Sequence, residues 1–386
     1  MKILMVHNDY AAYSGEESYI DKITALFTAQ GHEVYNYRKS TARARHSLLG
    51  TVQVFLSGIY AIGAARRMRQ ALTTYRPDVV NIHNLYPFIS PAALFVCKKA
   101  GIPVVMTVHN YRLMCPTGLF LRNGRPCETC LQRGNEWGCV QHNCEHNMAK
   151  SLGYALRNYI ARQAGAYAKN VDAFVCLSWF QRNRLIDAGF APDKLFVIPN
   201  FLPVMESPRE QPGQYVGFAG RPSHEKGWDM LVEIARRHPA IPFQVAGEYN
   251  TEQGGALPPN IQIRGFLRGE NLRAFYRQAR FLVVPSRCYE GFPNVALEAM
   301  SVGTPVIAPH HGAFPEILLR GKPAGMLFMA GNTDDLERKL LELWDDAAGV
   351  AALGANAWQT FNDQFTGPIA YRKWQGLLQN LTHNHK

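Results

Sequence analysis

FLVVPSRCYEGFPNVALEAMSVGTPVIA, residues 281–308, decides the fold. The apolar run Phe281 to Val284 reads as a buried parallel strand. A short loop carries Glu290, and Gly291-Phe292-Pro293-Asn294 leads into an Ala-rich helix that holds Glu298. Gly303 and Pro305 stop that helix, and Val306-Ile307-Ala308 begins another strand. The stretch is therefore a βαβ unit with one carboxylate before its helix and one inside it. In an open parallel sheet such a loop lies at the carboxyl ends of the strands, where ligands bind. A helix N-terminus there favours an anion, because its N–H groups and its dipole point at it. A diphosphate-bearing ligand, with hydroxyls for the carboxylates to hold, fits that arrangement.

Two glutamates eight apart are common on solvated helices, and a buried βαβ with incidental glutamates is the plain alternative. The whole run is more specific. P-S-x-x-x-E-G-F-x-N-x-x-x-E-A-M-x-x-G-x-P-V-I-A resembles the retaining glycosyltransferases of family four, which have the GT-B fold. The resemblance implies an α/β protein of two Rossmann-like domains facing across a cleft, with the donor held mainly by the second. It extends over nearly the whole chain and is most specific over 215–330.

At 386 residues the chain has room for two domains of ordinary size. Its 47% hydrophobic and 18% charged residues describe a packed globular protein rather than a disordered one. No apolar run of about 18 residues predicts a membrane-spanning helix. The start, MKILMVHNDY, reads as a first strand and lacks the apolar core of a signal peptide, so a cytoplasmic location is expected. The net charge of +11 points to an anionic partner. No nucleic-acid-binding module is visible, so nucleic acid is not expected and an anionic membrane surface is preferred. The inner face of a membrane is then a second expected location.

The first half reads as alternating strands and helices. Lys2 to His7 predicts a strand, and a helix over about 17–30 ends at Gly31. Ser14-Gly15 stands where the family has its glycine pair; by resemblance, Gly15 lets backbone approach donor phosphates or acceptor. Residues 38–76 pair an apolar stretch, Leu48 to Ala65, with Arg38, Lys39, Arg43, Arg45, Arg66, Arg67 and Arg69, and no acid lies between Glu33 and Asp78. Such a segment suits an interfacial helix on anionic lipid; a core helix with basic flanks is the alternative. P-D-V-V-x-x-H…G-I-P-V-V-x-T-x-H-N-Y, over 77–111, resembles the N-terminal domain of family four. By that resemblance His109 contacts the transferred sugar. His83 also sits at a strand end and is a weaker candidate.

Five of the eight cysteines fall between 115 and 144. In a cytoplasmic protein such clustering points to metal before disulfides. Cys127-x2-Cys130 and Cys139-x4-Cys144 have approximate zinc spacing, and four thiolates satisfy one tetrahedral zinc. Cys115, His142 and His146 are further candidates, and unliganded thiols or a redox pair are the alternatives. Some members resembling this chain carry a similar insertion after H-N-Y. The expected division is 1–200 with the cysteine-rich insertion at 113–147, a linker at 201–214, a nucleotide-sugar domain at 215–365, and a final helix at 366–386 that returns to the first domain.

In the second half, Gly220-Arg221-Pro222-Ser223-His224-Glu225-Lys226-Gly227 resembles the family motif G-R-x-x-x-E-K-G. Breaking a glycosidic bond to a nucleotide diphosphate loads charge onto the leaving oxygens. Arg221 and Lys226 are suited to neutralise it, Arg bidentately, and Gly220 lets backbone come close. The loop after the strand Ile261 to Phe266 meets the base in this family, so Arg264 and Phe266 are base-side candidates. By family analogy Glu298 holds ribose hydroxyls and Glu290 a hydroxyl of the donor sugar. Asn294, Val295 and the backbone of Gly291 and Phe292 would face the diphosphate. The implied reaction is transfer of a sugar, with retained configuration, to a hydroxyl of a glycan or lipid-linked acceptor. His109, Arg221, Lys226 and Glu290 are its expected catalytic residues, and no metal is expected for catalysis, apart from a structural zinc at the cysteines. A catalytically silent binding protein on this fold and a nucleotide-sugar epimerase are the rivals.

Overall fold

A computed structural model describes residues 1–9, 14–40, 61–204, 207–249 and 255–383. The greater part of the proposed interfacial segment, 41–60, lies outside the described residues. Contacts divide the chain into two compact units: residues 1–119, 128–199 and 370–386, and residues 120–127 and 200–369.

The first unit is built on a six-stranded parallel sheet. Its strands are β1 (Lys2–Asp9), β2 (Glu33–Ser40), β3 (Val79–Asn84), β4 (Val104–Val108), β7 (Ala173–Cys176) and β8 (Leu195–Val197), in the order β2-β1-β3-β4-β7-β8. β3, VVNIHN, and β4, VVMTV, are buried at every residue. Helices cover both faces, so these strands read as apolar runs rather than as an alternation. The helix Gly15–Ala29 starts two residues earlier than its apolar pattern predicts. Ser14 caps it, and Glu17 bonds back to the Ser14 backbone N–H, which completes a capping box. The helix Met148–Gln163 is capped by Asn147 and the helix Trp179–Asp187 by Ser178. The last helix, Gly367–His383, brings a fully buried Trp374 edge-on to Phe27, with ring centroids 5.4 Å apart. Tyr371 of the same helix meets His32 Nε2 with its Oη at 2.9 Å.

The second unit repeats the plan. Its strands are β9 (Tyr215–Ala219), β10 (Phe243–Ala246), β11 (Ile261–Ile263), β12 (Ala279–Val283), β13 (Val306–Pro309) and β14 (Gly325–Phe328). They are parallel in the order β11-β10-β9-β12-β13-β14. The helix Trp228–Arg237 buries Trp228, Leu231 and Ile234 against Val216, Phe218 and Phe243 of the sheet. The chain runs from β9 outward through β10 and β11, then returns to β9's other side with β12. The β9/β12 boundary is therefore where strand order reverses, and the crevice beyond it is where this architecture binds ligands.

Between β4 and the helix Met148–Gln163 lies a small antiparallel hairpin, β5 (Leu121–Arg122) and β6 (Arg125–Pro126). Asn123 and Gly124 turn it with φ of 51° and 71°, the two left-handed positions that a type I′ turn needs. This hairpin packs within the second unit: Phe120 is buried and its ring meets Tyr289 at 6.0 Å.

Candidate active site

Two loops border the β9/β12 crevice. One, residues 220–227, leaves β9 and contains the short 3-10 turn His224–Lys226. The other, residues 284–293, leaves β12 and ends at the helix Asn294–Ser301. They are pressed together. Gly227 has φ +70°, and a Cβ there would stand 2.0 Å from the carbonyl oxygen of Pro285; only glycine allows both. Arg287 N–H donates to the Glu225 carbonyl at 2.9 Å, and its guanidinium pairs with Asp229.

This contact brings Lys226 onto Glu290, which is the feature the sequence places 64 residues apart. Lys226 Nζ donates to Glu290 Oε1 at 2.7 Å, and Ser286 Oγ donates to the same oxygen at 2.6 Å. His311 Nε2 lies 3.0 Å from the Ser286 carbonyl. A carbonyl only accepts, so His311 carries its proton on Nε2. Burial opposes both charges of the pair, but each partner outweighs it for the other. Lys226 is held above its ordinary pKa by Glu290, and Glu290 is held below its own by Lys226 and Ser286. The pair is therefore ionised at neutral pH. Arg221 adds a third charge, felt at Lys226. Its side chain is 82% exposed and meets only Glu225, at 3.3 Å among its described contacts. Such a surface pair is worth about 0–1 kcal/mol, so a ligand phosphate would displace it at little cost.

Glu298 sits one turn inside the helix Asn294–Ser301. The buried Tyr276 donates its hydroxyl to Glu298 Oε2 at 2.8 Å. Burial and this carboxylate hold the phenol well above its ordinary pKa, so it remains a donor. Asn294 Oδ1 accepts from Asn200 Nδ2 at 2.6 Å. The Phe292 ring packs on Phe365, with centroids 5.5 Å apart, so its side chain serves the core. Val295 is half-buried and Gly291 buried at the same corner. Gly220, at φ +126°, opens the first loop. Arg264 and Phe266 are exposed beyond β11, and the Arg268 guanidinium lies 4.7 Å from the Phe266 ring centre.

The first unit gathers a separate group at the ends of β1, β3 and β4, again at its reversal of strand order. His83 Nδ1 and His109 Nε2 share a hydrogen bond at 2.9 Å. Burial lowers both: His109 falls to about 4 and His83 well below the usual imidazole range. Both rings are neutral at pH 7, and one proton lies between them. Gly15 opens the adjacent helix, whose Glu16 accepts from Asn110 Nδ2 at 3.0 Å. His7 Nε2 lies 3.5 Å from Glu17 and 3.6 Å from Asp9. Among the described residues, these three alone bring ligand atoms of three groups within 4.8 Å of one another. Asp9 is already paired with Arg38 at 2.8 Å.

The four cysteines expected to share a metal are not held at ligand spacing, since no three of their sulfurs lie within 4.8 Å of one another. Cys127 belongs with the hairpin to the second unit, whereas Cys130, Cys139 and Cys144 lie in the first. Sequence reasoning assigned no role to Ser286, Tyr276, Asn200 or His311. Ser286 had a signal, its fixed distance of four residues before Glu290. Tyr276 and Asn200 act across 22 and 94 residues, and no local pattern announces such pairs.

Comparison with known proteins agrees with this architecture. Residues 13–204 match the family model "Glycosyltransferase Family 4", and residues 213–346 match "Glycosyl transferases group 1". An uncharacterized 42.6 kDa protein in the cps region of Klebsiella pneumoniae is 23% identical over 352 residues, 82% of this chain and 87% of that one. The poly(ribitol-phosphate) alpha-N-acetylglucosaminyltransferase of Staphylococcus aureus is 25% identical over 55% of this chain, which spans only 45% of that protein. Anabaena HepE, solved in complex with UDP and glucose, superposes with a TM-score of 0.67 at 18% identity, over 99% of this chain and all of that one. With both sheets, their strand order and both family matches in agreement, the chain is a GT4-like glycosyltransferase of GT-B fold.

Proposed function

We propose that the protein transfers a sugar from a nucleotide-diphosphate donor to a hydroxyl of a glycan or lipid-linked acceptor, with retention at the anomeric carbon. The observation that carries this reading is the ionised Lys226–Glu290 pair beside Arg221, at the strand-order reversal of the second unit. Arg221 and Lys226 offer two positive charges to a diphosphate, and each gains strength as the leaving oxygen takes up charge. Glu290, fixed by Lys226 and Ser286, accepts from a hydroxyl of the donor sugar. Glu298, fixed by Tyr276, accepts from the ribose. Asn294 and Val295 turn their end of the helix toward the diphosphate. His109, neutral and bonded to His83, serves a hydroxyl of the substrate.

No side chain is assigned as a covalent nucleophile. The acceptor oxygen attacks from the face the nucleotide leaves, forming the new C–O bond as the old one breaks, and the departing phosphate oxygen takes the acceptor's proton. Arg221, Lys226 and the helix end carry the charge, so this route requires no metal. HepE's complex with UDP and glucose and the acceptor named for the Staphylococcus enzyme support the substrate classes.

A panel of nucleotide sugars tests the reading. A transferase hydrolyses or transfers its own donor, and NMR shows the anomeric configuration kept in the product. Inversion would exclude the retaining step. A donor that binds but never turns over, with or without acceptor, would favour a silent binding protein, and 2-epimerised sugar would favour an epimerase.

We also propose docking on an anionic membrane surface at the cytoplasmic side. No helix of the described residues is long and apolar enough to cross a membrane. The helix Ile62–Tyr75 exposes Ile62, Arg66, Arg67 and Arg69 and has no acid, and the adjoining helix Ala92–Lys99 exposes Phe95, Lys98 and Lys99. Co-sedimentation with phosphatidylglycerol vesicles, lost on Arg66→Glu/Arg69→Glu, is the expected outcome; equal recovery with neutral vesicles would refute it.

A further inference from the structure

Arg157 carries a charge that the first unit leaves uncompensated. It stands in the helix Met148–Gln163 and is half-buried. Its Nε donates to Asn158 Oδ1 at 3.1 Å. Its Nη2 donates to the same oxygen at 3.0 Å and to the Pro116 carbonyl at 3.2 Å. Its guanidinium carbon lies 4.1 Å from the ring centre of Tyr86 and 4.8 Å from that of Tyr154. Neutral oxygens and ring faces hold a guanidinium in place, but none of them cancels its charge. Among the described residues Arg157 forms no ion pair, whereas Arg162, further along the same helix, meets Glu136 at 2.8 Å. The N–H groups on Arg157 Nη1 have no acceptor among the described residues.

A second donor beside it is also unspent. Tyr167 Oη donates to Tyr86 Oη at 2.9 Å. Tyr86 keeps its own phenol proton, which has no acceptor among the described residues. Its side chain is 8% exposed, so water supplies little in place of one. Asn158 ties Arg157 to the loop after β4, because its Nδ2 donates to the Arg112 carbonyl. Arg112 brings a second positive charge, which acts on Arg157. Glu145 feels both charges but forms no ion pair with Arg157. Tyr86 lies just beyond the end of β3 and Arg112 just beyond the end of β4. Both loops therefore leave the carboxyl ends of parallel strands, where ligands bind in this architecture, as His83 and His109 do.

We propose that Arg157, with the Tyr86 hydroxyl and the charge of Arg112, binds a phosphate group of the acceptor. The Nη1 N–H groups and the phenol proton donate to phosphate oxygens, and charge on both sides shortens and strengthens the guanidinium contacts. A doubly negative phosphate meets two positive charges, where a carboxylate would answer only one. The rings and neutral oxygens already fix the guanidinium, so little side-chain freedom remains to be lost on binding. The headgroup of a lipid-linked acceptor and a phosphorylated sugar share this chemistry. The proposal rests on the transfer reading only in assigning the phosphate to the acceptor.

The test is calorimetric titration of the full-length chain with inorganic pyrophosphate, in an Arg221→Ala/Lys226→Ala background so that the donor loops do not compete for the probe. Saturable binding is expected, weakened roughly tenfold or more by Arg157→Met, as for a lost charge-assisted contact. Arg157→Lys keeps a charge over the rings but not the guanidinium's donors. It should also weaken binding, and it decides the matter if Arg157→Met does not fold. Farnesyl diphosphate and glucose 6-phosphate separate the two sources, the tighter binder naming the carrier of the phosphate. Absence of saturable binding for all three probes, unchanged affinity in the Arg157 variants, or acetate bound as well as pyrophosphate would each overturn the proposal. Donor turnover is measured apart from these titrations, so failure of the transfer reading and failure of this site are told apart.

Discussion

Tyr276 shows how a single buried side chain sets the chemistry of a half-buried one. Its hydroxyl fixes one oxygen of Glu298, and a hydrogen bond to a charged group is worth about 1.5–3 kcal/mol. Tyr276→Phe should therefore raise KM for the nucleotide sugar roughly tenfold with kcat little changed, because the ribose is held equally in ground and transition states. Steady-state kinetics measures this; a fall in kcat alone would contradict it. His109 makes the second residue-scale prediction. Its pKa falls from 6.5 to about 4 on folding, so between those values the unfolded chain binds more protons than the native one. Stability then drops as pH falls from about 6.5 toward 4. Urea unfolding of His109→Gln should show a smaller loss between pH 7 and pH 5 than the unmutated chain. An identical loss would place the titration elsewhere.

At the scale of elements, the approach of the two loops at Gly227 is what assembles the charged pair. Gly227→Ala combines a left-handed backbone, costing about 1–2 kcal/mol, with a clash on the Pro285 carbonyl. Transfer should fall at least as far as in Lys226→Ala, with the thermal midpoint lowered; an active, fully stable Gly227→Ala would show that the loops need not touch. Much of this was legible beforehand. The strand Lys2–Asp9 and the helix Gly15–Ala29 fall, to within two residues, where the apolar pattern and the stop at Gly31 put them. The quoted βαβ stretch is β12, helix Asn294–Ser301 and β13 in order, because strand, stop and turn signals there are local. What escaped is long-range. The hairpin at 121–126 reads as part of a cysteine-rich insertion, yet its Phe120 is buried in the second unit.

For the whole molecule, repetition of one parallel-sheet plan in both units gives two strand-order reversals, and each has polar groups at its edge. The first has neutral histidines bonded to each other; the second has an ionised lysine–glutamate pair with an arginine beside it. That contrast supports the proposed placing of the diphosphate at the second unit. The net charge of +11 adds a long-range attraction for anionic donors and surfaces, and salt screens it over about 10 Å at 0.1 M. The short-range pair is screened much less. Isothermal titration of nucleotide-diphosphate sugars against the unmutated chain and against folded Arg221→Ala/Lys226→Ala tests the central claim most directly. The account predicts one donor bound by the unmutated chain and, in the variant, affinity weakened by roughly a hundredfold or more, as expected for two lost charge-assisted contacts of about 1.5–3 kcal/mol each. Equal affinity in the two proteins would contradict it.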